Sequence, residues 1–128
     1  MNMNLVIPTD GRERACLPGV DHLTLAGGAQ GLSGLSIWQQ SIDAGEATPP
    51  HRHDCEEVVV VSEGSGVLEL EGVQHAFSAP CTLVVPRNAP HQILNTGSGP
   101  LRLLAAFSVS PVQAFFPDGS PIPLPWAT

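Results

Sequence analysis

The chain has no lysine and no tyrosine, and its 128 residues carry five Arg against twelve Asp and Glu. The five cations stand apart, at Arg12, Arg14, Arg52, Arg87 and Arg102. No basic stripe exists to track a phosphate backbone, so nucleic acid is not expected as a partner. The formal charge of -7 mostly describes a solvated surface, although carboxylates lining a cavity would also favour a cation. Long apolar runs are missing too. No stretch approaches the roughly 20 residues of a membrane-spanning helix, and no membrane partner is expected. The amino terminus, MNMNLVIPTDGRERA, lacks the charged and apolar regions of a secretory signal, which makes a cytoplasmic location the expectation. Cys16, Cys55 and Cys81 are an odd number without C-x-x-C spacing. That argues against a disulfide framework and against a thiolate zinc knuckle, and it predicts three free thiols buried as small apolar groups.

What the chain does have is punctuation. Thirteen Gly and thirteen Pro break it into short segments, so no long helix is expected. Residues 1–30 read as a lead-in with turn signals at Pro8–Gly11, Leu17-Pro18-Gly19 and Gly27-Gly28. Leu32–Ile42 suits a strand, and Val58–Val61 is a β-branched run of the kind covered on both faces. Val67–Glu71 and Val73–Phe77 alternate about Gly72, which predicts a hairpin with one face on the core. Thr82–Val85, His91–Asn95 and Leu101–Phe107 add three strands. Strands at such regular spacing predict a sandwich or barrel over 31–110. In 111–128 five prolines alternate with Phe115, Phe116, Ile122, Leu124 and Trp126. The expectation is an irregular tail packed on the outside of the barrel, with a dimer contact as the sharper alternative.

Chemistry concentrates in two segments, Gly45-x5-His51-x-His53-x3-Glu57-x6-Gly64 and Pro86-x-Asn88-x2-His91-x3-Asn95. In an extended chain His51, His53 and Glu57 share one parity and point the same way. Imidazole and carboxylate together suit divalent iron, manganese, nickel, copper or zinc, and His91 from another strand is the natural fourth ligand. Glu56 has the opposite parity and is set aside. Cys55 has the ligands' parity but reads as a packing residue, while His22 and His75 read as surface or hydrogen-bonding residues. A lone H-x-H on a solvated strand would mean little. The in-phase carboxylate, the flanking glycines and the second segment together make one metal ion the stronger reading.

The two segments resemble the paired signature motifs of the cupin superfamily, G-x5-H-x-H-x3,4-E-x6-G and G-x5-P-x-G-x2-H-x3-N. The first is matched at every fixed position. The second departs at two glycines, where Pro80 and Asn88 stand, and Asn tolerates the left-handed backbone that the turn needs. The resemblance implies an all-β double-stranded β-helix, the jelly-roll cupin barrel. It also implies that His51, His53, Glu57 and His91 hold the metal, and that the protein is a homodimer.

Fold and metal do not name a reaction. The resemblance is compatible with a metal-dependent enzyme on a small organic substrate, with dioxygenase chemistry placed narrowly first. Isomerase, epimerase or lyase chemistry comes next, and would need a base; without Tyr or Lys, Glu57 itself is the candidate catalytic group. A different class is a non-catalytic cupin that binds or senses a sugar-like small molecule. Trp38, Gln40, Phe77, Arg102 and Phe107 are the candidate pocket residues.

Overall fold

A computed structural model describes residues 5–128, so the first four residues of the predicted lead-in lie outside the described residues. Among the described residues the chain forms β1 (Ala15–Leu17), β2 (Val20–Ala26), β3 (Ser36–Ile42), β4 (Glu57–Glu63), β5 (Ser65–Leu70), β6 (Val73–Ser78), β7 (Cys81–Val85), β8 (His91–Asn95) and β9 (Leu101–Phe107). They build two antiparallel sheets, one ordered β1-β2-β3-β9-β4-β7 and one ordered β6-β5-β8. This is the all-β jelly-roll expected from the motifs. Among the described residues the one helical element is a single 3-10 turn at Gly28–Gln30, and no helix there is long and apolar enough to cross a membrane.

Alternation decides which side chains enter the core. In β4, Glu57, Val59 and Val61 point inward while Val58 and Val60 stand 40% and 45% exposed. The valine run was expected to be covered on both faces, and the structure corrects this: only one face has a sheet opposite it. Each fully buried Val contributes about 1.5–3 kcal/mol. In β9 the inward set is Leu101, Leu103, Ala105 and Phe107. The core of Trp38, Ile42, Val59, Val61, Leu68, Leu83, Ile93 and these β9 residues lies between the sheets.

The hairpin from β5 to β6 turns on Glu71 and Gly72, with φ of 50° and 81°. Two successive positive φ values in a two-residue loop match the right-handed twist of the flanking strands. β5 faces the core, but β6 is an edge strand whose side chains are exposed except for the half-buried Phe77. The expectation of a core face therefore holds for one arm of the hairpin only.

The lead-in is also more than a lead-in. Leu17 pairs with Val20 across Pro18-Gly19, Gly19 has φ of 73°, and β2 runs the length of β3. The turn signal read there as punctuation closes a hairpin that extends the larger sheet by two strands. At the other end, residues 111–128 form no regular strand or helix, Val112 and Ala114 are buried, and Ile122, Leu124 and Trp126 lie at the mouth of the barrel rather than on its outside. The thiols differ from expectation as well. All three are free, yet only Cys55 is buried, while Cys16 is exposed on β1 and Cys81 is partly covered at the end of edge strand β7.

Candidate metal centre

Three imidazoles and a carboxylate meet between the two sheets. Glu57 opens β4 and His91 opens β8, so each sheet supplies one of them. His51 reaches the same point through an isolated bridge to His91, with backbone N–H···O distances of 2.9 and 2.8 Å. His53 follows two residues later. Gly45, with φ of 78°, bends the chain from β3 toward this segment, and Asn88, with φ of 62°, makes the left-handed turn before β8 that its motif position requires. Asn95 locks the far end of β8: its amide donates to Ile42 and Gly99 carbonyls at 2.9 Å and its oxygen accepts from Gly97 N–H at 2.9 Å.

The candidate ligand nitrogens of His51, His53 and His91 lie within 4.8 Å of one another. Glu57 Oε1 is 3.3 Å from His91 Nε2 and 3.9 Å from His53 Nε2. Each ring's other nitrogen is engaged by backbone. His51 Nδ1 meets Pro49 O at 2.6 Å, His53 Nδ1 meets Gln113 O at 2.8 Å, and His91 Nδ1 meets Ala89 O at 2.9 Å. A carbonyl can only accept, so each Nδ1 carries a proton, and in the neutral ring Nε2 presents a lone pair to the centre.

Electrostatics keeps the donors in ligating form. Burial lowers the His51 pKa to about 3, helped by the neighbouring His91 and His53 rings. Burial also lowers that of His53. Burial pushes the Glu57 carboxyl upward, but the three surrounding imidazoles outweigh it and hold Glu57 below the usual carboxylate range. Neutral His51 and His53 rings beside an ionised Glu57 are the protonation states that a cation needs. The buried atoms His91 Nε2 and Glu57 Oε1 have no hydrogen-bond partner. Two buried polar atoms left unpaired are costly unless something positive sits between them, so the residues present fit a divalent ion.

The sequence model of the family described as Auxin binding protein matches residues 6–127. Auxin-binding protein 1 of Arabidopsis thaliana is 38% identical over 108 residues, 77% of this chain and 54% of that protein. The chain belongs to the auxin-binding protein family. It spans about half the length of the Arabidopsis relative. It is also similar to the dimethylsulfoniopropionate lyase DddW of Ruegeria pomeroyi, 29% identical over 113 residues that cover 73% of this chain and 72% of that one. Among solved structures, a cupin-superfamily sugar phosphate isomerase from Silicibacter pomeroyi superposes with a TM-score of 0.71 over the whole of both chains at 22% identity, which shows the cupin fold.

In this member of the auxin-binding family a chamber of about 50 Å³ opens beside the centre. Trp38, Gln40 and Phe107, three of the five predicted pocket residues, line it together with His51, His53 and Glu57. The other two do not. Arg102 points outward from β9 and pairs with Glu63 at 2.6 Å, because the residues on either side of it fill the inward positions. Phe77 sits on β6 opposite Gly66, four residues along β5 from the position facing His91, roughly 13 Å at strand rise. Glu56 is exposed and Cys55 packs into the core, where burial raises its thiol to about 11. His75 is exposed, but His22, expected at the surface or in hydrogen bonds, is 1% exposed and hydrogen-bonded on both ring nitrogens.

Sequence reasoning missed Thr48, Ile122, Leu124 and Trp126 as chamber residues. Thr48 Oγ1 accepts from Ile93 N–H at 3.0 Å and anchors the segment that carries the histidines. For Trp126 the available signal was an aromatic kept in a Pro-rich tail, which must cover something.

Proposed function

We propose that this chain binds a small carboxylate with an apolar or aromatic body, recognised through a divalent ion held by His51, His53, Glu57 and His91. The observation carrying this reading is the contrast within the chamber. Its wall is Leu17, Val20, Trp38, Leu103, Phe107 and Ile122 among other apolar groups, and among the described residues its only titratable lining groups are His51, His53 and Glu57, all spent on the centre. A bound ion supplies a Lewis-acid anchor for an oxygen donor, with zinc, iron, manganese, nickel or copper all suited to the donor set. The chain's own residues orient the ligand: Gln40 offers an amide, and the buried indole N–H groups of Trp38 and Trp126 are donors without partners. The ligand named in the relatives' family, auxin, agrees with this class. Titration of zinc-loaded protein with indole-3-acetate is expected to give one site per chain that disappears on metal removal. Absence of heat with indole-3-acetate, 1-naphthoate and benzoate alike would discard the reading.

A catalytic reading ranks second. His51, His53, Glu57 and His91 would hold an ion beside the chamber, where it would supply Lewis-acid chemistry, and the likeness to a lyase supports metal-dependent lyase chemistry. Glu57 would then be the only carboxylate at the centre able to move a proton. The dioxygenase chemistry placed first from the motifs has no separate support in the chamber. Product formation or oxygen uptake with the iron-loaded protein would reverse this order.

The outer face of the larger sheet supports a homodimer. Val58, Val60, Val84 and Leu104 are exposed there, and Val58 pairs with Val84 while Val60 pairs with Leu104. A cytoplasmic location suits three free thiols.

A further inference from the structure

His22 is a buried histidine that the metal centre does not use. It stands directly opposite Gln40 in the β2–β3 register. Its ring lies flat on Trp126, with centroids 3.8 Å apart and planes 10° apart, and meets Trp38 edge-on at 4.9 Å. Trp38, Gln40 and Trp126 all line the metal chamber. His22 therefore touches three chamber residues from behind.

The direction of its hydrogen bonds follows by elimination. Thr24 Oγ1 lies 2.9 Å from Ala127 O, and a carbonyl can only accept, so the hydroxyl hydrogen is committed to the tail. At 2.7 Å from the same oxygen, His22 Nε2 must then be the donor. Burial lowers the His22 pKa to about 4, with the Arg14 charge adding to this and Asp21 opposing it, so the ring is neutral and Nδ1 is an acceptor. Gln40 Nε2, 3.0 Å away, must donate to it. One directed chain thus runs from Gln40 through His22 and Thr24 to the carbonyl of Ala127. It leaves Gln40 with Oε1 and its second N–H for a ligand.

We propose that His22 is a positioning residue: held as the Nε2–H tautomer, it sets which edge of the Gln40 amide faces the chamber and docks Trp126 and the tail over the chamber mouth. The ligand part of this inference rests on the proposed binding function, and the tail part stands without it. The chamber of about 50 Å³ is far below the roughly 300 Å³ at which small-molecule pockets begin, so entry requires the tail to move. Binding and tail docking are then reciprocally linked through His22.

The test uses full-length zinc-loaded protein, wild type, His22→Phe and Thr24→Val. His22→Phe keeps an aromatic ring against both tryptophans and removes both hydrogen bonds. Thr24→Val breaks the chain at its far end without touching Gln40, and guards against misfolding of the first variant. Long-range proton–nitrogen NMR of the wild type is expected to show the Nε2–H tautomer at His22. Both variants are expected to keep one zinc per chain. Hydrogen exchange at the Ile122 amide, which donates to Ala114 O at 2.9 Å, and acrylamide quenching of tryptophan are expected to rise roughly fivefold or more. Indole-3-acetate affinity is expected to fall roughly tenfold in His22→Phe. An Nδ1–H tautomer, or unchanged exchange and quenching in both variants, would overturn the proposal. If wild type ignores the probe, the binding function fails by itself, and the tautomer and tail measurements still decide this inference.

Discussion

His51 and His91 face each other across an antiparallel bridge, each backbone N–H bonded to the other's carbonyl at 2.9 and 2.8 Å. Directly opposed residues in such a pair put their side chains on the same face, and the two rings stand 4.2 Å apart by centroid. Forty residues of sequence separation are thereby cancelled by one pair of hydrogen bonds. His53 and Glu57 complete the group from the adjoining chain.

Loss of one ligand should therefore be felt as loss of the ion, not of the fold. His91→Ala and His53→Ala are each expected to weaken zinc binding by about 100-fold or more. Elemental analysis after dialysis against a chelator of known affinity reads this out. Wild-type occupancy in the His53 variant would remove that residue from the ligand set.

The ion should also stabilise the protein. Burying Glu57 Oε1 and His91 Nε2 unpaired is a cost that the metal relieves. At free zinc about 100 times its dissociation constant, stabilisation of about 2.7 kcal/mol is expected, which is roughly 10 °C in melting temperature. Calorimetry of apo and loaded protein checks it, and coincident melts would show that the ion does not bind the folded state preferentially.

Acid should destabilise the apo protein over a defined window. His22 falls from 6.5 to about 4 and His51 from 6.5 to about 3 on folding, through burial first in both. Between those values the unfolded chain binds more protons, so stability is full above about pH 6.5 and is lost as pH falls, by up to about 1.4 kcal/mol per pH unit for each ring. Urea midpoints from pH 8 to pH 4.5 should be flat and then decline. His22→Phe should decline by one proton less, and an unchanged slope would refute the role assigned to that ring.

Oligomeric state is checked by light scattering. Wild type is expected at twice the 13.4 kDa chain mass, and Val60→Glu with Val84→Glu is expected to run as a monomer with the metal site intact. A monomeric wild type would leave the exposed valines unexplained by self-association.

Much of this protein was legible in the chain itself. Period-two alternation, β-branched runs and Gly or Pro punctuation are local properties, and they located β3 to β9 and the turn at Glu71-Gly72. The side chains that meet at the candidate centre were legible for the same reason, since H-x-H-x3-E keeps one parity and the Pro86–Asn95 segment carries its own turn and strand signals. The errors cluster where a residue's surroundings come from distant chain. Nothing local says that Val58 and Val60 face no second sheet, that Arg102 rather than its neighbours points outward, or that the strand carrying Phe77 ends up as an edge.

Sequence by itself determined the chemistry available: three imidazoles and a carboxylate in strand phase, no lysine or tyrosine to act as a base, and turns where backbone freedom is needed. Tertiary structure decided what that chemistry encloses. It placed β2 against β3 with β1 beyond it, brought His22 behind Gln40, and folded the Pro-rich tail so that Trp126 roofs the chamber. Those contacts depend on sheet order and on the path of an irregular segment, which are set by the packing of apolar surfaces far apart in the chain, and no local pattern encodes them.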